Sequence, residues 1–253
     1  GEAEVLVDNG FRDVLIANQV VGAAKVERLV RLAKRARIAV AVDHIDQAEA
    51  ISLAAVAART IVRLLIEVDI GMGRCGIPNS ESVLQLAKKL AAMPGVEFGG
   101  LQAYEGHLVN VVDREQRRQQ SREAMRFAVE TRRLLEGSGI PVPCISGCSS
   151  ATYDSTGILD GVDEIQAGTY ATMDRQYFRL TPEFEIAMSI LVRVISRPGP
   201  GKAVMDVGVK GAGAEFGVPG IRNYPDVVIP FFLAEEHVVV NQTPDWPIGQ
   251  PLH

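Results

Sequence analysis

The stretch IVRLLIEVDIGMGRCG, residues 61–76, decides the fold class of this chain. Its first part is an apolar, β-branched run that predicts a buried strand over Ile61–Asp69. Glycines follow at once, so the backbone after the strand can turn tightly and approach a ligand. We therefore expect Arg74 at the carboxyl end of a parallel strand, where α/β folds build their sites. A glycine-rich turn with a solvated arginine is the alternative.

Strands and helices alternate on both sides of this stretch. The sequence predicts six strands, at Val14–Asn18, Arg37–Asp43, Ile61–Asp69, Val96–Tyr104, Pro143–Ser146 and Glu164–Ala167. Helices are predicted at Glu2–Asp8, Ala23–Ala36, Asp46–Ala58, Ser80–Ala92 and Asp113–Glu136. Such alternation produces right-handed βαβ units and a parallel sheet. Because a (β/α)8 barrel has eight strands, we predict an incomplete (β/α)8 TIM-type barrel over residues 1–183.

The pattern changes after residue 183. Phe184–Ser196, Ala203–Val209 and His237–Asn241 alternate as strands do, and no helix is predicted between them. A PGPG turn at residues 198–201 separates the first two of these strands. We therefore predict that residues 184–253 are part of a separate β-domain.

The composition excludes several classes of protein. With 253 residues, of which 47% are hydrophobic and 23% charged, the chain has the make-up of a globular enzyme. Its formal net charge of −5 leaves no basic surface for nucleic acid or for an anionic membrane. Cys144 and Cys148 are interpreted as small buried thiols, with metal chelation as the alternative. These features together predict a cytoplasmic protein.

A second strand runs into the motif GLQAYEGHL, residues 100–108. This motif presents Tyr104 and His107 at the same end of the sheet as Arg74. A histidine there can transfer protons near neutral pH, and a tyrosine can donate a hydrogen bond or stack on a ligand. A hydrogen-bonded loop histidine is the alternative interpretation.

Two short strands run into small polar residues, SGCSSAT at 146–152 and QAGTY at 166–170. Glycines and hydroxyl side chains after a strand suit a phosphate group, which binds backbone N–H and Ser or Thr donors. In many barrels the phosphate lies after strands seven and eight. With two further strands ahead of Gly1, these motifs take those two positions.

Four motifs in this order carry a resemblance to a known family: VDIGMGRCG, LQAYEGH, SGCSSATY and EIQAGTY, which begin at residues 68, 101, 146 and 164. They resemble the D-threonine aldolase/D-serine dehydratase family. More distantly, the chain is similar to the alanine racemase barrel of the fold-type III pyridoxal enzymes. The resemblance extends from Gly1 to about His237. It implies an alanine racemase-like barrel and pyridoxal 5'-phosphate as the cofactor.

The resemblance also implies roles for individual residues. His107 would be an acid or base on the substrate, with Tyr104 beside it, and Arg74 would hydrogen-bond the cofactor's phenolic oxygen. Gln166 stands where the racemases carry an arginine that faces the pyridine nitrogen. Because a neutral amide cannot set the charge of that nitrogen as an arginine does, this difference favours lyase chemistry over racemisation. The residues that would hold or line the phosphate are Ser146, Gly147, Gly168, Thr169 and Tyr170.

Two elements implied by the resemblance are expected outside this chain. The family's Schiff-base lysine lies on the first barrel strand, ahead of Gly1, and its divalent-metal ligands lie beyond His253. The lysines that the chain does contain lie on polar helix faces or in the second domain. We therefore nominate no Schiff-base lysine and no metal ligand in this chain. We expect a chain truncated at both ends and inactive by itself.

The leading hypothesis is a lyase that cleaves D-threonine and related D-β-hydroxy amino acids to glycine and an aldehyde, and that forms a homodimer. The first alternative is a D-serine dehydratase, which produces a 2-oxo acid and ammonia. The second is a non-catalytic pyridoxal-phosphate homeostasis protein, whose barrel has no β-domain; the strands after residue 184 count against it. A barrel enzyme of unrelated chemistry is the third, because a fold alone does not determine a function.

Overall fold

The computed structural model of this protein describes residues 1–214, 217–231 and 234–253. They form two compact units, Gly1–Ala167 and Gly168–His253. The domain boundary that the sequence predicts after residue 183 falls within the second unit and stays a prediction. No helix in the described ranges is long and apolar enough to cross a membrane.

A six-stranded parallel sheet is the framework of the first unit. Its strands are β1 (Asp13–Gln19), β2 (Arg37–Val42), β3 (Val62–Val68), β4 (Val96–Ala103), β5 (Ile145–Gly147) and β6 (Glu164–Ile165). They are neighbours in chain order from β1 to β6. The helices are α1 (Glu2–Asp8), α2 (Ala23–Ala33), α3 (Ile45–Ala58), α4 (Ser80–Ala91) and α5 (Arg114–Gly137). Each predicted strand and helix is present, so the incomplete parallel barrel is confirmed.

The sheet has one apolar face and one mixed face, and β3 shows both. Val62, Leu64 and Ile66 belong to the hydrophobic core that the helices cover. Side chains alternate across a strand, so Arg63 and Leu65 point to the opposite face. There they line a cavity of about 390 Å³. The helix side of the core is completed by buried residues that include Leu29, Val30, Ile51, Val83, Leu86, Met125 and Leu135.

Two glycines let β4 and β5 pair closely. Gly100 has a φ of +120°, and a Cβ atom there would lie 2.0 Å from the carbonyl oxygen of Cys144. A Cβ atom at Gly147 would lie 2.0 Å from the carbonyl oxygen of Ala103. No side chain fits at either distance, so the pairing of these two strands depends on glycine at both positions.

The second unit contains a five-stranded antiparallel sheet, preceded by the short helix α6 (Arg175–Phe178). Its strands are β7 (Val192–Gly199), β8 (Lys202–Met205), β9 (Val228–Phe231), β10 (Val238–Asn241) and β11 (Pro251–Leu252). They are ordered β11-β7-β8-β10-β9 around a core that includes Val194, Met205, Val240 and Trp246. The predicted region of β-strands is confirmed. The strands β9 and β11 and the helix α6 are additions to the prediction.

One predicted strand is much shorter than expected. The sequence predicts a strand over Phe184–Ser196, but β7 begins only at Val192. The backbone N–H groups of Ala187 and Met188 both donate to the carbonyl oxygen of Thr172, which is not a strand ladder. Alternating apolar residues form a strand only where a neighbouring strand supplies hydrogen-bond partners, and the pattern does not reveal that neighbour.

Candidate active site

A row of four polar side chains crosses the sheet of the first unit. Glu67 on β3 pairs in register with Gln102 on β4, Gln102 with Ser146 on β5, and Ser146 with Glu164 on β6. Register partners in a parallel sheet lie side by side and point to the same face. The four side chains, which we call the polar row, therefore lie together on the face away from the helices.

Gln166 joins the polar row just beyond β6. Its backbone N–H donates to the carbonyl oxygen of Gly147 at 2.6 Å, which extends the pairing of β5 with β6. Its side-chain Nε2 donates to Ser146 Oγ at 2.9 Å and to Gln102 Oε1 at 3.2 Å. The structure thus brings together three of the residues assigned to the cofactor site: Ser146, Gly147 and Gln166.

Glu67 is the buried carboxyl group of the polar row. Its Oε2 accepts hydrogen bonds from Gln19 Nε2 at 2.6 Å and from Gln102 Nε2 at 3.1 Å. Burial raises the pKa of Glu67, although these two amide hydrogen bonds and the positive charge of Arg74 oppose the shift. The guanidinium of Arg74 therefore acts electrostatically on the row.

Two aspartates hold the glycine-rich turn that follows β3. Asp69 Oδ1 accepts hydrogen bonds from the backbone N–H groups of Gly71 at 2.9 Å and Gly73 at 3.1 Å. Asp43, just after β2, accepts from the N–H of Gly76 at 2.9 Å. Burial opposes the ionisation of Asp69, but the backbone hydrogen bonds outweigh it and lower the pKa of this carboxyl group. The two side chains together fix the shape of the turn.

Arg74 and Tyr104 are brought together from the ends of neighbouring strands. The guanidinium carbon of Arg74 lies 5.6 Å from the centroid of the Tyr104 ring. At this distance a cation is attracted to the face of an aromatic ring. Arg74 is exposed, so its N–H groups can meet an anionic oxygen of a ligand while the ring limits where the side chain points.

His107 lies in the 3-10 helix Gly106–Asn110, which follows β4. Its Nδ1 is buried and has no hydrogen-bond partner among the described residues. On the other side of the ring, Nε2 faces Gly71, where an added Cβ atom would lie 3.2 Å away. Buried polar groups normally have a partner, and an unpaired one is often a group that meets a ligand. His107 lies on the loop after β4 and Arg74 on the loop after the adjacent strand β3.

The motif that begins at Ser146 folds into a hydrogen-bonded turn after β5. Thr152 Oγ1 accepts the backbone N–H of Ser149 at 3.0 Å and donates to Glu105 Oε1 at 2.6 Å. Glu105 is fully buried, and its Oε2 has no hydrogen-bond partner within the described ranges. Burial raises the pKa of Glu105, and the hydrogen bond from Thr152 offsets only part of that shift. This contact ties the turn to the loop that carries His107.

The cysteines of the first unit are free thiols, with Cys148 buried and Cys144 half-buried. Burial raises the pKa of each of these two thiols to about 11. A raised pKa makes these thiols less reactive as nucleophiles. Among the residues that the structure describes, no three His, Cys, Asp or Glu side chains are grouped so as to hold a metal ion.

The remaining assigned residues belong to the second unit. Gly168 precedes the 3-10 helix Thr169–Ala171, and a Cβ atom added to it would meet no atom of the described residues within 4 Å. The ring of Tyr170 packs against that of Phe184, with the ring centroids 5.7 Å apart. The assignment of Gly168, Thr169 and Tyr170 to the phosphate site stays a prediction.

Sequence reasoning missed Glu67, Gln102 and Glu105. The signal for Glu67 was available, because an ionisable side chain interrupts the otherwise apolar end of a buried strand. Gln102 and Glu105 both lie inside a motif chosen for Tyr104 and His107. Only the strand register places Gln102 beside Glu67, and only burial distinguishes Glu105 from a loop carboxylate on the surface.

Relatives of known identity match nearly the whole chain. It is 37% identical to D-threonine aldolase of Arthrobacter sp over 247 residues, 96% of this chain and 65% of that protein. It is 34% identical to 3-hydroxy-D-aspartate aldolase of Paracoccus denitrificans over 252 residues, 94% of this chain and 64% of that protein. The crystal structure of D-threonine aldolase from Filomicrobium marinum matches with a TM-score of 0.95 and 34% identity, over 99% of this chain and 69% of that one. The chain spans just under two thirds of the length of these curated relatives.

Two family models divide the chain between them. Residues 187–253 match a putative serine dehydratase domain. Residues 1–176 match the family described as alanine racemase, N-terminal domain, and this range contains the whole parallel sheet and the polar row. The resemblance carried by the four motifs is thus confirmed, and the chain belongs to the family of alanine racemase N-terminal domains.

Proposed function

We propose that the protein containing this chain is a pyridoxal-phosphate-dependent lyase that cleaves D-threonine and related D-β-hydroxy amino acids to glycine and an aldehyde. One observation carries the proposal. Arg74 and His107 lie on the loops after adjacent strands, in a chain that is 37% identical to a D-threonine aldolase over 96% of its length. Arg74, a cation that can bind an anionic oxygen, and His107, which can transfer a proton, thereby lie at the same end of the sheet.

The residues at this end of the sheet fit the cofactor. Arg74 presents an exposed guanidinium, which suits the phenolic oxygen. Gly71 has no side chain that would fill the space beside the imidazole of His107. Ser146 and Gln166 supply polar groups on the same face of the sheet. When bound, pyridoxal phosphate provides the electron sink for the bond that breaks at Cα.

His107 takes the proton of the substrate's β-hydroxyl in this proposal, which allows the Cα–Cβ bond to break. A histidine suits the task because its ordinary pKa lies near neutrality. Tyr104 supports the site from the side, since its ring face attracts the guanidinium of Arg74. The contact between Glu105 and Thr152 holds the loop from which His107 projects.

The family resemblance further supports a Schiff-base lysine and divalent-metal ligands outside this chain, a homodimer, and a cytoplasmic location. The described residues contain no group that fits a divalent metal, so no step is assigned to one. The Schiff-base lysine is likewise assigned to no residue here.

A D-serine dehydratase is the second candidate, and the match of residues 187–253 to a putative serine dehydratase domain favours it. The two reactions differ in the proton that is removed. Cleavage removes the proton of the β-hydroxyl, whereas β-elimination removes the proton on Cα and expels the hydroxyl group. The 37% identity to an aldolase favours cleavage.

Product analysis of the complete protein with D-threonine separates the candidates. Glycine and acetaldehyde as the main products support the aldolase. 2-Oxobutanoate and ammonia would assign the protein to the dehydratases instead. Bound cofactor without turnover of D-threonine or D-serine would favour a homeostasis protein.

A further inference from the structure

Carboxyl groups at both ends of the polar row restrict which way its amides point. At one end, Glu67 Oε2 receives Nε2 of Gln102 at 3.1 Å. While Glu67 is ionised, its oxygens only accept hydrogen bonds, and the nitrogen of Gln102 then faces Glu67. The oxygen of Gln102 is therefore turned the other way, toward Gln166, whose Nε2 it receives at 3.2 Å.

The other end of the polar row imposes the same orientation on Gln166. Ser146 Oγ lies 2.5 Å from Glu164 Oε1 and donates its single proton to that carboxylate. With its proton engaged, the hydroxyl oxygen can only accept from Gln166, whose Nε2 lies 2.9 Å away. Gln102 and Ser146 thus both require that the nitrogen of the Gln166 amide, and not its oxygen, faces them.

The two constraints leave Gln166 with one group to offer a ligand. Both N–H bonds of its amide are engaged, one with Gln102 and one with Ser146. Its Oε1 accepts no hydrogen bond from any residue in the described ranges. A reversed amide would place that oxygen against two acceptor oxygens at once. Gln166 therefore presents a hydrogen-bond acceptor, and the ligand atom that meets it must carry a proton.

We propose that Glu67 and Glu164 are positioning residues that act through Gln102 and Ser146 to keep the amide oxygen of Gln166 directed at the ligand, where it accepts a hydrogen bond from the protonated ring nitrogen of pyridoxal phosphate. This inference rests on the proposed function and on the family resemblance, which implies that Gln166 stands opposite that nitrogen. A protonated ring nitrogen withdraws electrons more strongly than a neutral one. The polar row thus sets how readily the bound cofactor accepts electrons.

The protonation of the ring nitrogen can be measured directly in the complete protein. Pyridoxal phosphate labelled with 15N in the ring is bound, and the 15N chemical shift is followed as the pH is changed. We expect the upfield signal of a protonated nitrogen in the unmodified protein. Q166R offers only donors and should move that signal downfield. A neutral ring nitrogen in the unmodified protein, or an unchanged signal in Q166R, overturns the inference.

The positioning role is tested at the ends of the polar row. A glutamine at residue 67 or 164 can donate as well as accept, so the orientation of Gln166 is no longer forced. We expect the double variant E67Q/E164Q to lower the pH at which the ring nitrogen loses its proton, and each single variant to lower it less. Q19L is the matched control, because it removes the other hydrogen bond to Glu67 and leaves Gln102 in place. An equal shift in Q19L, or none in the double variant, contradicts the positioning role.

A neutron diffraction structure of the deuterated protein supplies a readout that needs neither a variant nor a bound cofactor. Deuterons on the Gln166 nitrogen directed at Gln102 and Ser146 support the inference, and the reversed amide overturns it. Failure to bind pyridoxal phosphate would instead overturn the proposed function, and the ring-nitrogen assignment with it. Bound cofactor with a bare ring nitrogen overturns the inference alone.

Discussion

The imidazole of His107 lies against Gly71, so closely that a Cβ atom on residue 71 would meet Nε2 at 3.2 Å. The two residues come from the loops after β4 and β3. The φ of Gly71 is +117°, a conformation that residues with a side chain rarely adopt. The glycine-rich turn therefore controls the position of the proposed base.

Substitution G71A in the complete protein tests this relationship. The added methyl group pushes the imidazole away and strains the turn, so we expect the rate of D-threonine cleavage to fall by roughly 100-fold, the scale of a misplaced catalytic group. G73A is the matched control, because Gly73 also has a positive φ, of +62°, but a Cβ atom there meets no part of the described chain within 4 Å. Steady-state kinetics of both variants decide the matter. Equal losses in G71A and G73A would assign the effect to backbone strain alone.

Substitution H107Q in the complete protein tests the proton transfer itself. Glutamine approximates the size of histidine but cannot take a proton, so cleavage should slow by roughly 100- to 10,000-fold, the contribution typical of a general base. The affinity for pyridoxal phosphate, measured by absorbance titration, should stay unchanged. Retention of full cleavage activity in H107Q would remove this residue from the mechanism.

Substitution T152V tests the contact between the turn after β5 and the loop that carries His107. It leaves the buried carboxyl group of Glu105 without its 2.6 Å hydrogen bond. The loss of a partner for a buried polar group costs about 1–3 kcal/mol, which we expect as a lower free energy of unfolding in urea. T152S keeps the hydroxyl group and should lose much less. A loss in T152V no larger than the loss in T152S would contradict a stabilising role for the hydroxyl group of Thr152.

The stability of the protein should depend on pH through Glu105. Burial raises the pKa of its carboxyl group above the ordinary 4.5. As the pH rises above 4.5, the unfolded chain releases this proton while the folded chain keeps it. The free energy of unfolding therefore falls with rising pH until the pKa of Glu105 in the folded protein is passed. E105Q has no titrating group at this position and so lacks this pH dependence. The free energy of unfolding of E105Q relative to the unmodified protein should therefore increase between mildly acid and neutral pH, and a constant difference would contradict the raised pKa.

Two glycines assigned to the phosphate site should respond differently to alanine. G147A places a Cβ atom 2.0 Å from the carbonyl oxygen of Ala103, and overpacking of this kind costs about 1–3 kcal/mol. G168A places a Cβ atom that meets none of the residues described in the structure within 4 Å, and it should change stability by less than about 0.5 kcal/mol. Thermal unfolding of both variants measures the difference. A large loss in G168A would reveal a contact that this structure does not contain.

The strands and helices of the first unit could be predicted because their signals are local. Apolar periodicity and turn residues mark β3 and α4 within a dozen positions. Asn79 caps α4 by accepting the N–H of Ser82 at 2.9 Å. The ends of the strands also located Arg74 and His107, since loops at the carboxyl end of a parallel sheet share one edge. The second unit was predicted less well, because antiparallel strands depend on neighbours that the local pattern does not identify.

The sequence by itself determined the order of elements, the parallel sheet and the edge at which Arg74 and His107 lie. Only the tertiary structure decided that Glu67, Gln102 and Ser146 form one row and that Gln166 completes it. The reason is register: the pairing of Glu67 with Gln102 and of Gln102 with Ser146 joins residues far apart in the chain. A slip of one residue would turn each side chain to the opposite face. A motif read along the chain does not reveal which residues pair across neighbouring strands, because that register is set by the packing of the whole sheet.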